Sequence, residues 1–452
     1  MRRPTAGLRL LTAIGFASLL IMLGTTAAQQ ATTVPNPPFI GFKDNGILSE
    51  LRNGKIKPGP ETKAACQVLA KSYAYKLAHF PADGSAVGPD GKQRTQNSET
   101  ASSIIDAFRN SHYPLPSTGL IKLEQAIYLA EVSKAMDVEL KFVLEKDPRP
   151  LVQLNAVRFM AEIAKGPNPA QIKTLLGIVN EKLYSNAFKN YAFQGIRNLL
   201  AQKDPEDTDR EKPLIGARPN TLAKPEDIAT LTQVTQALEN VILNKSKNQW
   251  TNESLDVVQY IRRNAIEALG AVPVTGIYVR EEAKARPALT LFRVMIADPL
   301  VQPPPSLKER VEAMFGLCSQ QIDPQINLDV LAYGVNQTLL DLITAQGEQS
   351  ANKASLMPSI HWKMLGGRLI QAADGWKING RVGKYIKNDR KPEYLRDLAD
   401  RMKAIGELME VSGVDARVEV GPLTDWAANR KPVTLRNQLY KDDPSTIFSF
   451  TK

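Results

Sequence analysis

The sequence predicts an all-α chain of stacked helical hairpins, an irregular α-solenoid rather than a single compact core. A helical phrase recurs, clearest at Ile261-Arg262-Arg263-Asn264-Ala265-Ile266-Glu267-Ala268-Leu269-Gly270, with looser copies at 152–161, 188–197 and 307–316. Apolar residues repeat at helical spacing between Pro-, Gly- and Asx-rich breakers over most of the chain. Composition agrees: 452 residues at 43% hydrophobic and only 6% aromatic content can bury a large core of Leu and Ala side chains.

Within the phrase, Ile261, Ala265, Ala268 and Leu269 form one apolar stripe, and the small Ala265 at its centre lets the next hairpin approach closely. Ala156, Ala192 and Val311 hold the same place in the other copies. The polar, Pro-rich stretch 201–225 widens the gap after Ala192 and has the composition of an exposed loop. Glu267, two residues beyond Ala265, is expected on the solvent side.

First helices are expected at 119–136, 171–183, 225–243, 281–297 and 327–345. Pro225 suits a first helical position, followed by Glu226 and Asp227, which favour a helix N-terminus. Pro287 would break or kink the fourth of these helices. Further helices are expected at 61–79, 98–110, 361–373 and 392–411. Gly366-Gly367 then marks a close helix crossing or a kink. The alternation of Val414–Val420 (VDARVEV) predicts a short β element near the C-terminus.

The repeated phrase resembles the HEAT repeat family, whose second helix follows a turn Asp and carries a Val-Arg pair ahead of the small-residue stripe. Ile261-Arg262 matches that pair. Leu307-Lys308 and Phe188-Lys189 match it in charge, while Val152-Gln153 keeps only the preceding Asp147-Pro148 turn. The resemblance covers residues 119–375. It implies a groove lined by second helices, with Arg158, Lys189, Arg197, Arg263 and Arg310 as the partner-binding cations. It also implies that Arg262 and Lys308 pair with turn carboxylates between units and hold the stack together.

At the N-terminus, Arg2, Arg3 and Arg9 precede an uncharged apolar run, Leu10–Leu23, and a small-residue segment ending at Ala28. This is the layout of a secretory signal peptide and implies an exported, periplasmic or extracellular protein. The apolar run is shorter than the roughly 20 residues of a spanning helix, so no span is expected in the mature chain. The expected organisation is a signal peptide at 1–28, an extended linker at 29–59, a helical segment with a long loop at 60–118, the repeats at 119–375, and a basic segment, helix and tail at 376–452.

No motif for chemistry stands out. The chain has no Walker loop, Gly-x-Gly-x-x-Gly fingerprint or Gly-x-Ser-x-Gly elbow. His79, His112 and His361 are its only histidines and lack zinc-ligand spacing. Cys66 and Cys318 each sit in apolar helical surroundings and read as small buried hydrophobes. The acidic run Asp204, Glu206, Asp207 and Asp209 lacks the calcium-loop glycine and terminal Glu. The sequence therefore predicts a scaffold for a protein partner, with no catalytic residue, metal or cofactor. An enzyme whose site is assembled from distant residues is an alternative, with His112 or His361 as its acid or base.

Charge supplies another alternative. Of the net charge of +10, much is concentrated where Trp376, Lys377, Arg381, Lys384, Tyr385, Lys387, Arg390 and Lys391 crowd together. Such a patch would bind an anionic glycan or lipid. Nucleic acid is not the expected partner outside the cytoplasm. For export, mass spectrometry of the protein recovered from its native host should find an N-terminus near Gln29, whereas intact Met1 in a membrane fraction would overturn cleavage.

Overall fold

The computed structural model describes residues 46–79, 100–113, 122–207, 212–216, 223–245, 250, 253–351, 359–376, 393–411, 415–429 and 438–448, all within one unit. Most of them are helical. The helices are α1 (Ile47–Arg52), α2 (Pro60–His79), α3 (Ala101–His112), α4 (Leu123–Lys146), α5 (Pro150–Ile163), α6 (Gln171–Asn180), α7 (Asn186–Ala201) and α8 (Pro225–Ile242). They continue with α9 (Leu255–Gly270), α10 (Pro287–Met295), α11 (Leu307–Ser319), α12 (Leu328–Ala351), α13 (Ser359–Trp376), α14 (Glu393–Glu410) and α15 (Val420–Ala428). The one sheet among the described residues is an antiparallel hairpin of β1 (Ile277–Val279) and β2 (Glu282–Ala285). No described helix is long and apolar enough to cross a membrane.

Local chemistry accounts for the helix starts. Pro150, Pro225 and Pro287 occupy the first turns of α5, α8 and α10, where a missing N–H costs nothing. Thr100 with Ser103 and Ser306 with Glu309 form capping boxes on α3 and α11. Ser254 caps α9 by accepting the Val257 N–H. Consecutive helices then pair, α4 with α5, α6 with α7, α8 with α9 and α10 with α11. The second members also pack side by side, α5 on α7, α7 on α9 and α9 on α11, and the row continues with α13, which packs on α11 and pairs with α14 rather than with α12.

Ala156, Ala192, Ala265 and Val311 are all buried in these contacts. Helices α9 and α11 come close at the last residue of the repeated phrase: a Cβ on Gly270 would stand 2.8 Å from Gly316 Cα, too near for any side chain. Gly366 and Gly406 make the equivalent crossing of α13 and α14, where a Cβ on Gly366 would lie 2.5 Å from the Gly406 carbonyl oxygen. The expected crossing at Gly366 is thus met by a glycine on the partner helix.

Arg262 and Glu309 join α9 to α11 inside the protein. Their side chains are 0% and 1% exposed. Arg262 donates from Nε to Glu309 Oε1 at 2.6 Å, from Nη2 to Glu309 Oε2 at 3.0 Å and from Nη1 to the Pro303 carbonyl at 2.6 Å. Glu309 Oε2 also accepts the Ser306 N–H at 2.7 Å. One carboxylate therefore caps α11 and neutralises a cation of α9.

The end of the described chain returns to the middle of the fold. The Asn327 N–H donates to Leu439 O at 2.8 Å and the Lys441 N–H to Gln325 O at 2.9 Å. The Tyr440 hydroxyl donates to Thr275 O at 2.5 Å. Arg286 lies 4.3 Å over the Tyr440 ring, and Phe448 meets Phe292 edge-on at 4.8 Å.

Several expectations need correction. The helix expected at 281–297 begins only at Pro287, because 282–285 pair as β2. The segment 415–420 is not a strand: Asp415 accepts the Arg417 N–H at 2.9 Å and starts a 3-10 turn, Ala416–Glu419, leading into α15. Val414 lies outside the described residues. Helix α1 occupies part of the expected linker, with Leu48 and Leu51 buried against its neighbours α2 and α4. Glu267 is not a free surface residue, since Arg197 and Arg263 both reach it.

Asp137 of α4 is a half-buried liability. Thr174 Oγ1 of α6 donates to its Oδ2 at 3.0 Å, and its Oδ1 is enclosed without a hydrogen-bond partner. Burial pushes its carboxyl up to about 6, against the opposing effects of the Thr174 bond and Lys141. A folded-state value above the unfolded one means that the stability linked to this group is full below the ordinary value of 3.8 and is lost as pH rises through about 6. Asp137→Asn should therefore be more stable than wild type at pH 8 by about 1–2 kcal/mol, a difference that vanishes in acid. A less stable variant at pH 8 in urea unfolding would refute this.

The buried pair gives a second test. Arg262→Met should cost about 3–5 kcal/mol because Glu309 is left charged and unpaired. Arg262→Met/Glu309→Gln retains the cap and should lose markedly less. Urea midpoints that fall equally for both variants would show that unpaired charge is not the cause.

Candidate functional site

Because Arg262–Glu309 and Gly270/Gly316 set the register of α9 on α11, the outward residues of α9, α11 and the adjoining α13 line up. Those of α9 are Asp256, Tyr260, Arg263 and Glu267; those of α11 are Lys308, Glu312, Phe315 and Ser319; those of α13 are His361, Met364, Arg368 and Gln371. Each set steps by three or four residues, the spacing of one helix face. Tyr260 and Met364 are the exposed apolar groups, at 50% and 58%.

Where α7, α9 and α11 end, the stripe deepens into a cleft of about 510 Å³, lined by Arg197, Glu267, Glu312, Phe315 and Arg368 and by the backbone at Gly270. Arg197 pairs with Glu267 across the α7–α9 contact, and Arg263 Nε stands 3.8 Å from the same carboxylate. Arg368 Nε donates to Glu312 Oε1 at 2.9 Å while its guanidinium lies 4.6 Å over the Phe315 ring. Burial pushes the Glu312 carboxyl above its ordinary range, Arg368 opposes this, and nearby Glu267 adds to the rise.

At the other end, cations dominate. Burial and then the neighbouring Arg263 hold Lys308 below its ordinary value, with Asp256 acting the other way. His361 is lowered by burial, by Lys308 and by Arg263.

Of the cations expected to bind a partner, the structure brings Arg197 and Arg263 together on Glu267. Arg158 lies apart from them and donates to Ser102 Oγ of α3 at 2.9 Å. Lys189 is half-buried on α7, its amine lowered by burial and supported by Glu181. Arg310 is corrected: it is buried, donating to Met295 O at 2.8 Å and Asp341 Oδ2 at 2.6 Å. Its position next to Glu309 turns it into the fold.

Trp376 is likewise not a stacking platform. It is 2% exposed and donates from Nε1 to Cys318 Sγ at 2.9 Å. Lys377, Arg381, Lys384, Tyr385, Lys387, Arg390 and Lys391 lie outside the described residues. Of the two expected inter-unit cations, Arg262 has its carboxylate, whereas Lys308 has no ion pair among the described residues.

The described residues contain no group of three His, Cys, Asp or Glu able to hold a metal ion. Cys66 and Cys318 are free and buried, and burial pushes both thiols up to about 12, away from the thiolate that a nucleophile requires. What the stripe presents is paired charges, an aromatic ring and exposed apolar groups on aligned helices. Sequence reasoning missed Tyr260, Glu267, Glu312, Phe315, His361, Met364 and Arg368 as members of one surface. The signal was present as the shared outward spacing in three successive helices. Comparisons with models of protein families, with curated proteins and with solved structures each find no match.

Proposed function

We propose that this chain is an exported helical-repeat scaffold, similar in build to HEAT repeats, which binds a protein partner along the outward stripe of α9, α11 and α13. The aligned outward phase of these three helices carries the reading, because it places Tyr260 and Met364 on one surface among charged groups. Side-by-side packing of second helices supports a solenoid, in which each unit keeps one edge free for binding. Export rests on Arg2, Arg3 and Arg9 ahead of the apolar run Leu10–Leu23.

The test is capture from an envelope extract on the immobilised chain from Gln29 onward. Wild type should retain a polypeptide that the Tyr260→Ala/Met364→Ala variant loses while its helical circular dichroism is unchanged. Truncating exposed interface anchors typically costs more than about 1 kcal/mol each when they matter. Undiminished capture by the variant, or no polypeptide retained by wild type, would overturn the proposal.

A further inference from the structure

We infer that the stripe contains an anion site, in which Arg263, Lys308 and His361 receive the carboxylates of an acidic peptide segment. The inference rests on reading the stripe as a protein-binding surface and names the chemistry of the partner.

Register places the three side chains together. The bond from Arg262 to Glu309 sets their chain neighbours Arg263 and Lys308 side by side. Glu312, held to Arg368, sets the α11 turn bearing Lys308 against the α13 turn bearing His361 and Met364. The electrostatics agree, since Lys308 is lowered by burial and then by Arg263, and His361 by burial and then by Lys308 and Arg263.

The fold balances this charge only in part, since Arg263 shares the Glu267 carboxylate with Arg197 and lies over the Tyr260 ring. Among the described residues Lys308 and His361 have no ion pair, and Arg263 Nε and His361 Nδ1 are enclosed without hydrogen-bond partners. The nearby carboxylates are committed or insufficient: Glu309 belongs to Arg262, Glu267 is shared by Arg197 and Arg263, and Asp256 alone attracts Lys308. Lys308 and His361 also stand in the first turns of α11 and α13. Helix dipoles are positive there and disfavour a cation. Two cations, a histidine that an incoming anion would help to protonate, and two helix N-termini together favour an incoming anion.

The surroundings select a peptide over a uniform polyanion. Asp256, Glu267 and Glu312 along the same stripe repel a continuous run of negative charge. Tyr260 and Met364 beside the trio suit a segment in which acidic and apolar side chains alternate.

The probe is a short fluorescein-labelled peptide of alternating Glu and Leu, with its Gln counterpart, followed by anisotropy on the chain from Gln29 onward. The Glu peptide should bind more tightly than the Gln peptide, and added salt should weaken it. Lys308→Ala and His361→Ala should each weaken it about tenfold. Lys308→Arg should retain binding, and Lys403→Ala on α14 should not alter it. Wild-type affinity in both alanine variants would overturn the inference, as would tighter binding of polyphosphate or of anionic vesicles at the same residues. If Tyr260→Ala/Met364→Ala abolishes envelope capture while Lys308→Ala preserves it, the anion site alone fails. If neither variant affects capture, the binding surface fails as well.

Discussion

The fold depends on a pair of charges held out of water. An unpaired guanidinium or carboxylate at the Arg262–Glu309 position would cost several kcal/mol, and even a paired one recovers that cost only with every hydrogen bond made. Here the bonds come from three places: α9 supplies the cation, the turn at Pro303 a carbonyl, and the start of α11 the carboxylate that also caps it. All three must be in position at once. The pair is thus a poor source of net stability and a strict constraint on register.

The outward surface follows from that register. Once α9 and α11 are fixed at Arg262–Glu309, their backbones meet where both residues are glycine, Gly270 and Gly316. The residues that face away from the contact then fall into step, and Arg368 joins α13 to the same row through Glu312. Charge arrangement on this surface is uneven. Its carboxylates Glu267 and Glu312 hold Arg197, Arg263 and Arg368, whereas Lys308 in the first turn of α11 has only the attraction of Asp256.

The sequence made the helices legible where local chemistry decides them. Pro225 starts α8, Ser306 and Glu309 box α11, and the Ile261–Gly270 phrase buries Ala265 as its spacing predicts. It failed where a distant partner decides. A wheel drawn on α9 alone cannot see Arg197 arriving at Glu267 from α7. Arg310 looks like another outward cation until Met295 O and Asp341 are found beside it. Trp376 belongs to the core because α13 crosses the end of α11 at Cys318. The alternation from Val414 was overridden by the Asp415 turn, and Pro287 starts a helix only because the residues ahead of it pair as a hairpin. The candidate site was half visible: Arg197 and Arg263 were named as binding cations, whereas Arg368 and the alignment that makes them a surface are tertiary.

The returning segment 438–448 bears on how such a chain completes its fold. Helices that pack mainly on sequence neighbours can form in order as the chain appears, with little loop-closure entropy to overcome. Tyr440 instead reaches back to Thr275, 165 residues away, and Phe448 covers Phe292 of α10. During synthesis from the N-terminus, Phe292 of α10 therefore lacks its edge-on contact until Phe448 emerges. Assembly can start locally, but its closing step is long-range, and a chain interrupted before Tyr440 would retain most of its helices while leaving part of its core open to unwanted association.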